Sequence, residues 1–193
     1  MNKRFAIRAF LLSAVLLAGC GKGAAGSLEE SGIILNKEQN IRQVIVESFD
    51  QSYYNADELK SQIEARISAG GQEEPVAVLD KFELSEEKLL RVELTYEKDD
   101  DYVAFNGTEL FAGTVSEAQA AGYQIDSLSG TDGTVLSLGM LSSVSDKHIV
   151  VFEEPMAVVV PGKILYYSAS VTPDSEKKAH KEGETEKGIL IYE

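Results

Sequence analysis

Tryptophan is absent from the 193 residues, cysteine occurs once, at Cys20, and histidine twice, at His148 and His180. A single cysteine cannot close an internal disulfide, so the folded chain must draw its stability from ordinary burial. With no HExxH and no cysteine pair, neither histidine belongs to a zinc-binding pattern, and both read as incidental polar residues. Without tryptophan, the aromatic doublets left as candidate flat platforms are Tyr53-Tyr54 and Tyr166-Tyr167, and in each pair one ring is expected in the core and the other over a surface edge. Basic residues are scarce as well: 18 Lys and Arg stand against 32 Asp and Glu, for a net charge of −14. Nucleic acids and anionic lipid headgroups are recognised by basic patches, so this balance excludes both as partners. A long apolar run is also missing, since the stretch from Ala9 to Ala18 is about half of the ~20 residues a helix needs to cross a bilayer.

What is present at the N-terminus is a basic segment, Lys3, Arg4 and Arg8, followed by that short apolar run and a pair of small residues. This is the layout of a secretory signal that is removed on export. Leu17-Ala18-Gly19-Cys20 resembles the lipobox of bacterial lipoproteins. The resemblance implies that a signal peptidase recognises Leu17, Ala18 and Gly19 and that the Cys20 thiol carries a diacylglyceryl group. Two acyl chains hold stably where one would be marginal, at about 0.8 kcal/mol per buried methylene. Loss of residues 1–19 removes three basic residues and no acidic one, which takes the mature chain to −17.

Residues 20–32 form the lipidated cysteine and a Gly/Ala/Ser/Glu tether, and residues 33–193 are long enough for one core and short for two, so a single extracytoplasmic domain is expected. Gly21 to Gly26 matches GxGxxG by accident, because no strand precedes it and a polar linker follows. Two β-branched runs in 33–49 around a polar turn predict a hairpin. Asn55 is the expected N-cap of a helix, with Glu58 as its reciprocal partner, Tyr54 and Leu59 as a staple, Leu59, Ile63 and Ile67 on one apolar face, and Gly70-Gly71 as the stop. Residues 90–97 alternate with period two and predict a half-buried strand paired with 76–84 through the turn at 85–88.

A short helical turn is expected in 98–107, a strand in 109–114 and a helix in 116–121 closed by Gly122. No element is assigned in 127–147. Three further strands are expected in 149–152, 156–160 and 164–171, then a charged loop in 173–187 and a last strand in 189–192. The fold class that follows is α+β: a mostly antiparallel β-sheet with one main amphipathic helix and one or two short helices. The phrases VIVESFDQSYYNADELKSQIEARI, DDDYVAFNGTELFAGTV and VPGKILYYS resemble segments of an uncharacterised family of small lipoproteins from gut-dwelling Clostridia-type bacteria. That resemblance implies a location on the outer face of the cytoplasmic membrane and carries over no catalytic residue.

No reactive constellation stands out. GxSxG is absent, Asp99-Asp100-Asp101 lacks the EF-hand spacing and reads as a solvated turn or a helix N-terminus, and Glu153-Glu154 are strand neighbours rather than carboxylates placed across a cleft. Asn106-Gly107-Thr108 matches a glycosylation sequon but reads as a turn. No cofactor or metal is expected. The function expected is that of a lipid-anchored, non-enzymatic binding or interaction module of the cell envelope, with the membrane engaged through Cys20 and an envelope protein as partner; the oligomeric state stays open. The alternatives are a small solute-binding receptor serving a transporter and an envelope hydrolase with an unrecognised site.

Overall fold

The computed structural model describes residues 28–38, 40–69, 75–125 and 127–193. The first described strands form a hairpin, β1 (Gly32–Leu35) and β2 (Ile41–Ser48), whose turn is held by the Asn36 side-chain oxygen Oδ1 accepting the backbone N–H groups of Glu38 and Asn40. Helix α1 (Ala56–Ser68) follows, then a second hairpin of β3 (Val78–Leu84) and β4 (Leu89–Tyr96). Helix α2 (Asp99–Asn106) leads to β5 (Leu110–Thr114) and α3 (Val115–Ala120). The tract left unassigned from sequence holds β6 (Leu128–Gly130), β7 (Val135–Leu136) and a 3-10 helix, Leu138–Val144. The remaining strands are β8 (His148–Phe152), β9 (Ala157–Val159), β10 (Ile164–Tyr167), β11 (Val171–Pro173), β12 (Lys178–Lys181) and β13 (Gly188–Tyr192).

The strands make two sheets, one in the order β11-β12-β9-β1-β2-β4-β3 and the other β5-β8-β13-β10-β6-β7. Among the described residues every strand pairing is antiparallel except β1 with β9, so the architecture is the expected α+β class with mostly antiparallel pairing and a few helices. The main core takes Ile33, Ile41, Leu94 and Val158 from the first sheet and Val150, Phe152, Leu190 and Tyr192 from the second, which places the sheets face to face. Strand β13 sits between β8 and β10 and is buried along its whole length. Leu190 and Tyr192 point into the main core, while Ile189 and Ile191 meet a second core with Val115, Ala118, Leu141 and Val144. An uninterrupted apolar run suits a strand covered on both faces.

Helix α1 lays Leu59, Ile63 and Ile67 against the main core, as their spacing predicts, and leaves no residue of its own fully buried. Asn55 caps it by accepting the N–H groups of Asp57 and Glu58. The Glu58 carboxylate accepts from the Gln62 side chain, an i,i+4 contact that draws it away from the reciprocal capping role. The expected stop at Gly70-Gly71 lies outside the described residues. The full capping box appears instead on α3, where Thr114 and Glu117 bond each other's backbone. Gly107, at φ 74, ends α2 in the left-handed conformation, so Asn106-Gly107 is a helix C-cap rather than a free turn.

Two expectations in the C-terminal third need correction. The strand expected in 164–171 breaks after Tyr167, because Ser168 to Ser170 turns the chain from the second sheet into the first, where Val171 begins β11. The charged run 173–187 is not one loop: β12 lies within it, paired to β9 and β11, with Ala179 fully buried among its charged neighbours. Part of the segment 28–32, which by composition belongs with the tether, also packs. Leu28 is buried with Val44 and Ala157 on the outer face of the first sheet, and the Arg91 guanidinium donates to its carbonyl at 2.8 Å.

Candidate interaction surface

At the end of β2 the Phe49 N–H donates to the Lys88 carbonyl at 2.7 Å, fastening the strand to the β3–β4 turn. The chain then turns tightly, with the Tyr54 N–H donating to the Gln51 carbonyl at 3.1 Å just ahead of the Asn55 cap. This short connection gathers three rings. Phe49 and Tyr54 lie 4.7 Å apart between centroids at 31°, and Tyr53 meets Tyr54 edge to face at 4.9 Å and 77°. Phe49 is partly buried against the main core, Tyr54 is 43% exposed and Tyr53 is 77% exposed. The cluster therefore has a rooted base and a free tip. Leu84 and Leu89, flanking the adjoining turn, add exposed apolar surface.

The expectation that one ring of each tyrosine doublet is buried fails for Tyr53-Tyr54, since neither belongs to the buried core. Tyr166 and Tyr167 instead divide between the two cores, each packing on a different one, because successive residues of β10 face opposite ways.

Around the rings the charge is one-sided. Residues 47–58 and 84–89 carry six carboxylates, Glu47, Asp50, Asp57, Glu58, Glu86 and Glu87, and one cation, Lys88. None of the six forms an ion pair among the described residues. Packing around Glu47 strips enough water from its carboxyl to raise its pKa above the usual carboxylate value. Val135 on β7 and Leu138 and Met140 on the 3-10 helix are further exposed apolar side chains.

The catalytic alternatives find little geometry. His180 lies on β12, and its Nδ1 is 2.7 Å from Asp174 Oδ1, the orienting half of a hydrolase triad. Its Nε2, however, faces Glu182 Oε1 at 3.8 Å, a carboxylate where a serine hydroxyl would be needed. His148 stacks on Tyr192 at 5.4 Å and lines an open cavity of ≈ 410 Å³ with Asn36, Lys37, Pro161, Gly162 and Glu193, a lining without serine or aspartate. Among the described residues, no group of three or more His, Cys, Asp and Glu gathers in metal-binding geometry.

Asp99 opens α2 and spends one oxygen on the Ala112 N–H at 2.9 Å. Glu153 and Glu154 lie just past the end of β8 rather than on its faces, and Glu154 accepts from the Tyr102 hydroxyl at 2.9 Å. Leu17, Ala18, Gly19 and Cys20 lie outside the described residues. No known protein family, curated protein or solved structure matches this chain.

The aromatic surface escaped the sequence reading because a Tyr-Tyr pair before a helix cap resembles a staple. Its signal was compositional: acids at 47, 50, 57 and 58 without a basic residue among them.

Proposed function

We propose that the chain is a non-enzymatic module of the bacterial envelope, tethered by lipid on Cys20 to the outer face of the cytoplasmic membrane, which engages a protein partner through the surface around Tyr53. The observation that carries this reading is a large aromatic side chain, 77% exposed, standing on a packed base of Tyr54 and Phe49. Tyrosine is enriched among the residues that dominate protein interfaces, and a ring held in place before binding loses little entropy on contact. The lipobox supplies the address.

The test has two arms in the native host. Fractionation should find the wild-type protein with membranes and the Cys20→Ser variant released from them. Cross-linking in intact envelopes with mass spectrometry should recover a reproducible partner with wild type and lose it with Tyr53→Ala. Equal recovery by the variant would move the interaction off this surface, and the absence of any partner would sink the module reading.

A further inference from the structure

We infer that the Tyr53 surface receives a basic peptide segment, with a lysine or arginine side chain laid against the Tyr53 and Tyr54 rings and flanked by the Glu47 and Asp50 carboxylates. This rests on the interaction-module reading and adds the chemistry of the partner. Charge complementarity selects it. Six carboxylates and one lysine occupy the two segments that frame the rings, and none of the six is neutralised by an ion pair among the described residues. An acidic partner would meet repulsion across the whole contact.

A cation also has a use for the rings that a neutral apolar group lacks. Tyrosine attracts ammonium and guanidinium groups over its face, and the edge-to-face pairing of Tyr53 with Tyr54 presents two ring surfaces close to a right angle. The same chain already uses this contact internally, with the Arg66 guanidinium 5.3 Å from the Phe105 centroid and the Lys187 ammonium 5.4 Å from that of Tyr123. Asp50 and Glu47 lie near enough to Tyr54 to help raise its hydroxyl pKa, after desolvation and Tyr53, so acids and rings share one local field. Glu47 is partly stripped of water without a cation beside it, and an incoming ammonium would supply one. Between 133 and 145, where the exposed Val135, Leu138 and Met140 lie, the sequence has no charged residue.

The test is calorimetric titration of the full-length protein with three probes: an end-capped octapeptide of alternating Lys and Ser, its Glu-Ser counterpart, and a neutral glucose oligosaccharide. The Lys-Ser peptide should bind and weaken as salt is raised. Tyr53→Ala should reduce its affinity about tenfold, as expected for an interface anchor. Glu47→Gln should reduce it several-fold, while Glu176→Gln, in the β11–β12 turn at the far edge of the same sheet, should leave it within about twofold, which separates this surface from the general negative charge of the chain.

No binding of the Lys-Ser peptide, equal binding by Tyr53→Ala or by Glu47→Gln, or tighter Tyr53-dependent binding of either other probe would overturn the inference. If envelope cross-linking maps a partner to Tyr53 while the Lys-Ser peptide fails to bind, the module reading stands and the basic partner does not. If the peptide binds as described and the envelope yields no partner, the reverse holds.

Discussion

The Tyr96 hydroxyl donates to Gln43 Oε1 at 2.6 Å inside the main core, where Tyr96 has no exposed surface and Gln43 almost none. Asn106 closes a ring with them, its amide donating to the Tyr96 oxygen at 3.2 Å and its carbonyl oxygen accepting from Gln43 Nε2 at 3.3 Å. Three polar side chains thus satisfy one another between β2, β4 and the last residue of α2. A buried polar group left without a partner is costly, so this ring fixes how α2 seats against the first sheet.

Tyr96→Phe keeps the ring's volume and deletes the oxygen, stranding Gln43 Oε1 and one Asn106 donor. The expected loss is about 1–3 kcal/mol in urea denaturation. Adding Gln43→Leu should recover little of it, because the double variant removes the stranded Gln43 Oε1 but takes from Asn106 Oδ1 the donor it had. A Tyr96→Phe protein as stable as wild type would show that the ring of hydrogen bonds contributes nothing net.

Alkaline pH should destabilise the fold through its tyrosines. Burial pushes Tyr192 up to about 12, and desolvation followed by the Glu109 hydrogen bond and charge does the same for Tyr123, while burial raises Tyr96 and Tyr102 further. The unfolded chain ionises these groups near pH 10, where the folded chain still holds their protons. Between about pH 10 and 12 the unfolded state therefore binds fewer protons, and stability falls as pH rises. It is fully present below pH 10. Denaturant midpoints should drop between pH 9 and 11.5, less steeply in Tyr192→Phe, and a flat profile would refute the assignment.

Sequence pattern made the strands of the first sheet legible wherever one face meets the core and the other meets water. Leu90, Val92, Leu94 and Tyr96 alternate with polar residues, and all four are buried on β4. Asn55 announced α1 for an equally local reason, its side chain replacing missing backbone partners. Strand β12 was hidden because Ala179 is its sole apolar residue; the strand exists through pairing with β9 and β11, which no short window contains. The 3-10 helix was illegible likewise, since Leu141 and Val144 are buried while Leu138 and Met140 are not, a split that fits neither period two nor a full α-helical face. The interaction surface failed to show because exposure of Tyr53 is a property of the folded turn, not of the residue type.

Gly32→Ala should cost more than its size suggests. A Cβ at Gly32 would fall inside the van der Waals shell of the Ala157 carbonyl oxygen, in the parallel β1–β9 pair. Backbone cannot rotate aside as a side chain can, so the pair must separate, at about 1–3 kcal/mol. Hydrogen exchange should localise the loss to β1 and β9, and uniform protection across both strands would show that they had shifted without cost.

Phe49 and Tyr53 stand two ring contacts apart and should respond to truncation to different degrees. Phe49 is packed against the main core, so Phe49→Ala should cost about 1–3 kcal/mol, less than a fully buried phenylalanine because the site is partly open. Tyr53 is 77% exposed, and Tyr53→Ala should change stability by no more than about 0.5 kcal/mol. A ring that costs the fold nothing to lose is free to serve a partner. Matched urea curves decide the matter: comparable losses would make Tyr53 part of the packing that seats α1, whereas a loss confined to Phe49 leaves the Tyr53 ring available for binding.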